Sequence, residues 1–283
     1  MEEKAVILVT GASGMIGSHV VNGLLEAGYT VVGIDRNEGR VKAENYFHKV
    51  IDLANKEAII EVLQAYKVKK VVHLAALAHA QDGSEFTWED YYHLNVECAK
   101  NIFDAAADLS VLFISTVDVF GFTDGLVDVS TPVRPVSNYA KSKVMAEKEC
   151  QKLVSFDIFR LSPVYTDTVK RDIQKRYYLK YPNIAYKIGD GTEYEILNIR
   201  NAVKAIVVWC GESSCNKVRI IKDEKRMFTP EYIKAEKAAG RANIVLWFPK
   251  WLVNFGYYVL KGLTGENKYT YLINKAVHPL RSE

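Results

Sequence analysis

The sequence predicts an α/β protein with a doubly wound parallel sheet and a small C-terminal α/β cap. Short apolar runs rich in Val, Ile and Leu alternate with helical stretches through the first 165 residues, as expected for parallel strands buried on both faces. A glycine-rich turn joins the first strand to the first helix, which is typical of such a sheet. The chain has 283 residues, 49% of them hydrophobic, which is enough for one large and one smaller domain.

The repeated strand and helix units define a first domain over residues 1–165. The break in this rhythm after Pro163 marks the start of a substrate-binding cap over residues 166–283, although the segment 196–221 could return to the first domain. In the cap we predict helices near 199–210, 229–240 and 249–264. The first-domain strands are predicted at 4–10, 30–34, 47–51, 70–74, 111–115 and 156–160, and its helices at 15–27, 55–66, 89–107 and 139–153.

The charge and cysteine content argue against several kinds of function. The net charge is +3 with acidic and basic residues mixed throughout, so no basic face for nucleic acid is expected. The chain starts with charged residues and enters the first strand at once, which predicts no secretory signal and a cytoplasmic location. The cysteines show no spacing typical of a metal site or a disulfide, so we expect no metal and reduced thiols at Cys98, Cys150, Cys210 and Cys215.

The segment 245–263 is unusually rich in Trp, Phe, Leu, Val and Tyr. Pro249, Lys250 and Asn254 interrupt it, so we expect no transmembrane segment. An amphipathic helix that is buried against the rest of the protein or against a partner chain is the favoured interpretation. Contact with a membrane surface is the alternative.

The glycine turn holds Gly11, Gly14 and Gly17 between the first strand and the first helix. Glycine permits a backbone geometry that a Cβ would block, and the N–H groups at the helix start attract a pyrophosphate. Asp35 ends the second predicted strand, where its carboxylate can accept both ribose hydroxyls of an adenosine, which favours NAD over NADP. A glycine turn alone can also be purely structural.

Tyr139 and Lys143 stand four residues apart at the start of a predicted helix, so they share one face. A lysine ammonium close to a phenol lowers the pKa of the tyrosine, which suits the pair to proton transfer in an alcohol–ketone interconversion. Thr116 ends a predicted strand at the edge where parallel sheets bind ligands, and its hydroxyl could hold the substrate oxygen. Each feature alone also has a purely structural explanation. Tyr139 and Lys143 could lie on a solvated helix face, and the Thr116 hydroxyl could serve in a turn or a cap.

Several motifs follow one another in a fixed order along the first 165 residues. They are the run from Thr10 to Gly17, then Asp35, Asp52-Leu53, the run from His73 to Ala76, Asn95-Val96, the run from Ser115 to Gly121, Tyr139 with Lys143, and the run from Arg160 to Tyr165. This set resembles the extended short-chain dehydrogenases/reductases of the NAD-dependent epimerase/dehydratase group, which share the Rossmann fold. The resemblance covers the predicted first domain and is highly specific there.

The resemblance implies bound NAD and a catalytic set of Thr116, Tyr139 and Lys143, with His73 as a core residue rather than a catalyst. It also implies a homodimer through the helices at 89–107 and 139–153. The implied cofactor-binding residues are Gly11, Gly14, Met15, Ile16 and Gly17 at the pyrophosphate, Asp35 and Arg36 at the adenosine ribose, Asp52 and Leu53 at the adenine, Leu74, Ala75 and Ala76 along the middle of the cofactor, Asn95, Tyr139 and Lys143 near the nicotinamide ribose, and Ser162 and Val164 beside the nicotinamide ring.

Departures from the family pattern bear on substrate and reaction type. Pro163 stands where nucleotide-sugar enzymes often have Asn, and Tyr194 aligns with an Arg that holds a diphosphate in many relatives, which weakens phosphate recognition. Val117 replaces an acid of the dehydratases, so dehydration is disfavoured, while Asp118 is a candidate base or a turn-capping carboxylate. The basic residues that would have to replace the missing guanidinium are Lys187, Arg200 and Arg219.

Together these observations predict an NAD-dependent oxidoreductase or epimerase that transfers a hydride at a carbinol or ketone carbon, with a nucleotide-linked sugar as the leading substrate class. A 4-epimerase and a ketoreductase need the same catalytic set, so both remain open. Two alternatives are an oxidoreductase for a hydrophobic alcohol that carries no nucleotide, and an NAD-binding regulatory protein without turnover. The complete set of Thr116, Tyr139 and Lys143 argues against the second.

Overall fold

The computed structural model describes residues 4–39, 41–78, 86–123 and 126–283. Within it the chain forms two compact units, each assembled from separate stretches of sequence. The first unit consists of Met1–Thr116, Asn138–Arg160 and Ile199–Ile221, and the second of Val117–Ser137, Leu161–Asn198 and Lys222–Glu283. These units differ from the expected boundary at 165, because the chain also leaves the first unit after Thr116, returns at Asn138 and leaves again after Arg160. Ile199–Ile221 belong to the first unit, as the alternative for the segment 196–221 allowed.

The described residues form strands and helices that are numbered here in chain order. The strands are β1 Val6–Thr10, β2 Thr30–Asp35, β3 Tyr46–Val50, β4 Lys70–His73, β5 Ser110–Thr116, β6 Leu126–Val127, β7 Phe156–Leu161, β8 Val164–Tyr165, β9 Tyr178–Lys180, β10 Ile184–Ile188, β11 Glu193–Tyr194, β12 Leu197–Asn198, β13 Lys217–Ile221, β14 Met227–Phe228, β15 Ile244–Phe248 and β16 Arg281–Ser282. The helices are α1 Met15–Glu26, α2 Lys56–Ala65, α3 Trp88–Tyr92, α4 Cys98–Ala105, α5 Asn138–Cys150, α6 Arg171–Gln174, α7 Ile199–Gly211, α8 Thr229–Ala238, α9 Lys250–Thr264 and α10 Lys268–Val277.

The predicted helix 89–107 is thus divided into α3, a π-helical turn at His93–Glu97 and α4. A short 3-10 helix at Val117–Phe120 follows β5. No sequence pattern predicted α6, α10, β13, the longer strands β9, β10 and β15 of the second unit, or the two-residue strands. All other predicted elements of the first domain lie within a few residues of their predicted bounds.

A seven-stranded sheet in the order β13-β7-β5-β4-β1-β2-β3 forms the centre of the first unit. The register is parallel between β1 and both of its neighbours, β2 and β4, and between β2 and β3 and between β4 and β5. The predicted doubly wound α/β fold is confirmed. The strand order reverses between β1 and β4, and ligands of such sheets bind in the crevice beyond the carboxyl ends of the strands at that point.

Helices cover both faces of this sheet. On one face, buried side chains such as Leu8, Val71 and Phe113 pack against α2, α4 and α5. Their neighbours in the strands point to the opposite face because side chains alternate along a strand. The helices α1 and α7 pack on each other, and Gly23 of α1 makes this approach possible, since a Cβ there would lie 2.3 Å from a methyl group of Val203.

The second unit has its own core, which is rich in tyrosine and includes Tyr177, Tyr178 and Tyr194. Its largest sheet has three strands, in which β10 pairs in parallel with β15 and antiparallel with β9. The short strands pair over long distances in sequence, as β16 does with β6. This core stabilises the second unit independently of the seven-stranded sheet.

The apolar segment 245–263 forms β15 and α9, which meet at Pro249. Tyr257 is the only residue of α9 that is buried, so the rest of the protein does not bury this helix, and its burial against a partner chain stays a prediction. Among the described residues, no helix is long and apolar enough to cross a membrane.

Candidate functional site

The glycine turn follows the carboxyl end of β1 directly. Gly11 has a φ of +69°, and a Cβ on it would lie 2.8 Å from the backbone of Ala75, so the turn and the segment after β4 approach closely. A Cβ on Gly17 would lie 2.0 Å from the carbonyl oxygen of Gly11. The Ser18 N–H donates to Gly14 O at 3.0 Å, at the start of α1. The N–H groups of the first turn of an α-helix have no partner within the helix, so this end of a helix attracts anions.

Asp35 stands at the end of β2 and is held by the glycine turn. Its Oδ2 accepts a hydrogen bond from the Ser13 N–H at 3.0 Å, and its Oδ1 accepts one from the Asn37 N–H at 2.9 Å. Arg36 beside it is exposed. These bonds fix the carboxylate next to the turn while it stays partly open to solvent. Beyond the end of the neighbouring β3, Asp52 is exposed and Leu53 is buried.

His73 links the ends of β1 and β4. Its Nδ1 lies 2.7 Å from Thr10 Oγ1, and the same hydroxyl accepts a hydrogen bond from the Ala75 N–H at 3.3 Å. Burial, together with the charge of Lys143, lowers the pKa of His73 to about 3. The imidazole is therefore neutral and structural, in agreement with its interpretation as a core residue.

Asn95 lies in the π-helical turn and is buried. Its Oδ1 accepts a hydrogen bond from the Leu77 N–H at 2.7 Å, and its Nδ2 donates to Leu77 O at 3.0 Å and to Ser142 Oγ at 2.9 Å. The amide thus ties the segment that contains Leu74, Ala75 and Ala76 to α5, next to Lys143.

The candidate catalytic residues lie in the first unit. Thr116 is the last residue of β5, and Tyr139 and Lys143 lie one turn apart at the start of α5. Tyr139 is half-buried, and its ring centroid lies 6.5 Å from that of Tyr91. Lys143 is only 2% exposed, and its Nζ lies 4.0 Å from the ring centroid of Phe113.

This environment changes the proton affinity of Lys143. Burial lowers the pKa of its ammonium to about 7, although the nearby carboxylate of Glu147 acts in the opposite direction. A lysine with such a pKa exchanges protons near neutral pH, and in its charged form it favours the phenolate of a neighbouring tyrosine.

A buried ion pair lies one turn beyond Lys143. Arg160 at the end of β7 donates from Nη2 to Glu147 Oε2 at 2.8 Å and from Nε to Glu147 Oε1 at 3.1 Å. Ser115 Oγ donates to the same Oε1 at 2.5 Å. Sequence reasoning missed Glu147, although its spacing of four residues from Lys143 places it on the same helix face.

The second unit contains an open cavity, whose free space of about 480 Å³ includes the part that is open to solvent. Ser162 and Pro163 line it, and Ser162 Oγ is buried without a hydrogen-bond partner among the described residues. A buried hydroxyl without a partner normally requires one, so this atom is a candidate ligand contact. The expected cofactor contact Val164 is half-buried in β8, which pairs with β12.

Charged side chains line the same cavity. Lys275 Nζ donates to Asp118 Oδ1 at 2.7 Å. Burial acts to raise the pKa of Asp118, but the ammonium of Lys275 outweighs it, so the pKa is lower than usual. A paired carboxylate of low pKa is a weak base, which favours the structural alternative for Asp118. Sequence analysis missed Lys275 because it lies in the unpredicted helix α10.

Tyr194 and Arg176 meet at the wall of this cavity. Tyr194 is buried in the core of the second unit, and the guanidinium carbon of Arg176 lies 5.1 Å from its ring centroid. Arg176 was not among the basic residues considered as replacements for the missing guanidinium. Of those, Arg219 lies in the first unit against the ring of Phe159, at 5.9 Å. The only sequence signal for Arg176 was its place in a polar, aromatic stretch.

Comparison with known proteins identifies the family of this chain. The model of the NAD dependent epimerase/dehydratase family matches residues 7–208. The chain belongs to this family. The UDP-glucose 4-epimerase of Dictyostelium discoideum is 29% identical over 166 residues, which are 53% of this chain and 48% of that protein. The probable low-salt glycan biosynthesis reductase Agl14 of Haloferax volcanii is 35% identical over 162 residues, which are 56% of this chain and 53% of that protein.

The chain thus spans about half of the length of these curated relatives. Among solved structures, the UDP-glucuronic acid 4-epimerase from Bacillus cereus in complex with NAD is similar with a TM-score of 0.67 and 22% identity, covering 86% of this chain and 89% of that one. At this identity the similarity shows a common fold.

Proposed function

We propose that the protein is an NAD-dependent oxidoreductase or epimerase of the extended short-chain dehydrogenase/reductase type, which acts at a carbinol or ketone carbon of a nucleotide-linked sugar. The observation that carries this proposal is the burial of Lys143 one turn after Tyr139, in a helix that starts beside the end of the sheet. Family membership and relatives named as sugar epimerases and a reductase support it.

The residues at the switch point of the sheet fit a dinucleotide such as NAD. Gly11 and Gly17 leave no space for a side chain, because the turn packs against Ala75 and on itself. Such a tight turn leaves the N–H groups at the start of α1 accessible to a pyrophosphate. The carboxylate of Asp35 is fixed beside this turn, at the distance along the chain expected of a ribose ligand. When bound, the nicotinamide would supply the hydride acceptor and donor.

Proton transfer then falls to residues of this chain. On oxidation the Tyr139 phenolate takes the proton of the substrate alcohol, and on reduction the resulting phenol returns it. The charged form of Lys143 stabilises the phenolate, and the Thr116 hydroxyl donates a hydrogen bond to the substrate oxygen. Ser115, the neighbour of Thr116, is fixed by Glu147, which holds the end of β5 in place.

The lining of the cavity in the second unit favours a substrate that carries a nucleotide diphosphate. Arg176 supplies a guanidinium at the wall where Tyr194 occupies the position of the usual Arg. A guanidinium binds phosphate oxygens through two parallel hydrogen bonds. We therefore propose that Arg176 contacts the diphosphate.

The catalytic assignment is tested by Tyr139→Phe. Loss of the phenol should lower kcat by about 10²–10⁴ with each active nucleotide sugar, since no other group is assigned to this proton. NAD affinity, measured by calorimetry, should stay nearly unchanged. The exposed Tyr269→Phe is the matched control and should keep full activity. Undiminished turnover by Tyr139→Phe would refute the mechanism. A panel of nucleotide sugars with product detection by NMR separates epimerisation from net oxidation or reduction.

The substrate contact is tested by Arg176→Met. We expect KM for a nucleotide sugar to rise about tenfold or more with little change in kcat, because the lost bond serves binding rather than chemistry. Lys175→Met, which changes the exposed neighbour, is the control. Equal KM values for both variants would assign the diphosphate to other residues. Absence of turnover of every nucleotide sugar by the wild type would instead favour the second candidate, an oxidoreductase for a hydrophobic alcohol.

The oligomeric state and location remain proposals as well. We propose a homodimer through α3–α4 and α5 and a cytoplasmic location. Light scattering after gel filtration would measure the molecular mass. A mass of 32.0 kDa, that of one chain, would contradict the dimer.

A further inference from the structure

Helix α9 exposes its apolar residues rather than burying them. Its exposed large side chains, called here the apolar face, are Trp251, Leu252, Phe255, Tyr258, Val259 and Leu263. Trp251 is 71% exposed and Leu263 is 80% exposed. Gly256 and Gly262 lie on the same side, with no other group close to the position of a Cβ. A helix on a protein surface normally turns its apolar stripe to the core, so α9 has the opposite orientation.

The apolar face is continuous. With 3.6 residues per turn, its six side chains occupy one arc of about 140° around the helix axis. Tyr257 is buried on the opposite side, and the polar side chains Asn254 and Lys261 lie on the flank towards it rather than within the arc. The exposed Trp247 of β15 lies just before the helix in sequence.

The chemistry of this face suits lipid better than protein. A protein interface requires a hydrogen bond for about every 100–200 Å², whereas the arc offers only the hydroxyl of Tyr258 and the indole N–H of Trp251. Acyl chains need no hydrogen bonds, and Trp and Tyr are enriched at the boundary between acyl chains and headgroups. Helix α9 also contains Lys250 and Lys261 and no acidic residue. Lys261 pairs with Glu266 just beyond the helix, so the exposed Lys250 is the charge that complements an anionic surface.

We propose that α9 docks the protein on the surface of an anionic bilayer, with its apolar face between the headgroups and the acyl chains. The helix has 15 residues and is therefore about 22 Å long, which is shorter than the acyl core of about 30 Å. It lies in the plane of the membrane surface. This inference does not depend on the proposed function.

Vesicle flotation tests the proposal on the full chain. The protein should float with phosphatidylcholine vesicles that contain phosphatidylglycerol, and bind pure phosphatidylcholine vesicles more weakly. Replacing two side chains of the apolar face in the variant Trp251→Gln/Phe255→Gln should weaken binding about tenfold or more. Val154→Gln, at another exposed apolar residue in the first unit, is the control and should bind like the wild type. Circular dichroism checks that each variant is folded.

A second copy of the chain is the competing occupant of the face. It predicts that the wild type does not float and that its molecular mass in solution falls in the Trp251→Gln/Phe255→Gln variant. That result, or equal flotation of the wild type and this variant, would overturn the proposal. Flotation that is lost in the variant while the molecular mass stays unchanged supports it.

Discussion

Lys143 is the residue whose environment says most about chemistry. It is almost fully buried, its Nζ lies over the ring of Phe113, and the charge of Glu147 partly offsets the effect of burial on its pKa. Burial of an ammonium costs free energy unless it is paired, so a protein retains such a lysine where it serves a purpose. The purpose that we propose for Lys143 is to stabilise the phenolate of Tyr139, which lies one turn away.

The lowered pKa of Lys143 predicts a pH dependence of stability. Its pKa is about 7 in the folded protein and about 10.4 in an unfolded chain, so the unfolded chain binds an extra proton between these values. The free energy of unfolding therefore gains a contribution as pH rises from 7 to 10. Lys143→Met removes this pH dependence, so the free energy of unfolding of the variant should exceed that of the wild type most below pH 7, by about 5 kcal/mol.

Urea unfolding at a series of pH values measures this difference. It should shrink as the pH approaches 10. Lys141→Met, an exposed neighbour on the same helix, is the control and should differ from the wild type by a small, constant amount. A constant difference for Lys143→Met too would mean that Lys143 keeps its ordinary proton affinity.

Some site residues could be predicted from local sequence and others could not. Tyr139 and Lys143 lie four apart in one helix, and Gly11 and Asp35 follow strands, so spacing alone locates them. Arg176 belongs to no repeating pattern, and its position over Tyr194 depends on how the second unit folds. The absence of the motif Arg at Tyr194 was visible in the sequence. The replacement that we propose, Arg176, was not.

At the level of elements, three separate segments meet at Glu147. This carboxylate on α5 accepts hydrogen bonds from Ser115 at the end of β5 and from Arg160 at the end of β7. The same helix carries Tyr139, and the same strand end carries Thr116. The ion pair thus fixes the elements that position the candidate catalytic residues.

Removing one partner of this ion pair should be costly. Arg160→Met leaves the buried carboxylate of Glu147 without its counter-charge, and we expect a loss of about 3–5 kcal/mol in the free energy of unfolding. Lys152→Met breaks the exposed pair with Glu149 and should cost no more than about 1 kcal/mol. Urea unfolding at neutral pH compares the two. Similar small losses would show that the buried pair contributes little.

Helix α9 shows what an apolar pattern can and cannot predict. Its periodicity correctly predicts a helix with one apolar stripe. The pattern does not say which side of the helix faces the core, because the apolar side chains would suit a core, a partner chain or a membrane equally well. Only the fold of the second unit, which buries Tyr257, fixes the orientation.

Across the whole molecule, most elements of the first unit were predictable, whereas in the second unit only the helices α8 and α9 were. The strands of the first unit are four to seven residues long, apolar and separated by helices, so each is recognisable locally. The second unit uses two-residue strands such as β16, whose partner β6 lies more than 150 residues earlier in the chain. Pairing over such a distance leaves no local pattern.

The return of α7 and β13 to the first unit predicts the behaviour of fragments. The buried carboxylate of Asp157 in β7 accepts hydrogen bonds from Trp209 Nε1 at 2.9 Å and from the Lys217 N–H at 3.2 Å. A fragment of residues 1–165 loses both donors and the partner of α1. It should therefore show no cooperative thermal unfolding by circular dichroism, whereas a fragment of residues 1–221 should keep such a transition. A cooperative transition in the shorter fragment would contradict this.

The division of the chain also bears on how such a protein changes during evolution. The chain passes between its two units five times, at 116/117, 137/138, 160/161, 198/199 and 221/222. A single crossover between two genes exchanges one continuous stretch of sequence, so it cannot transfer the second unit whole. New substrate ranges must then arise by substitutions and by replacement of individual segments, such as the one that carries Arg176.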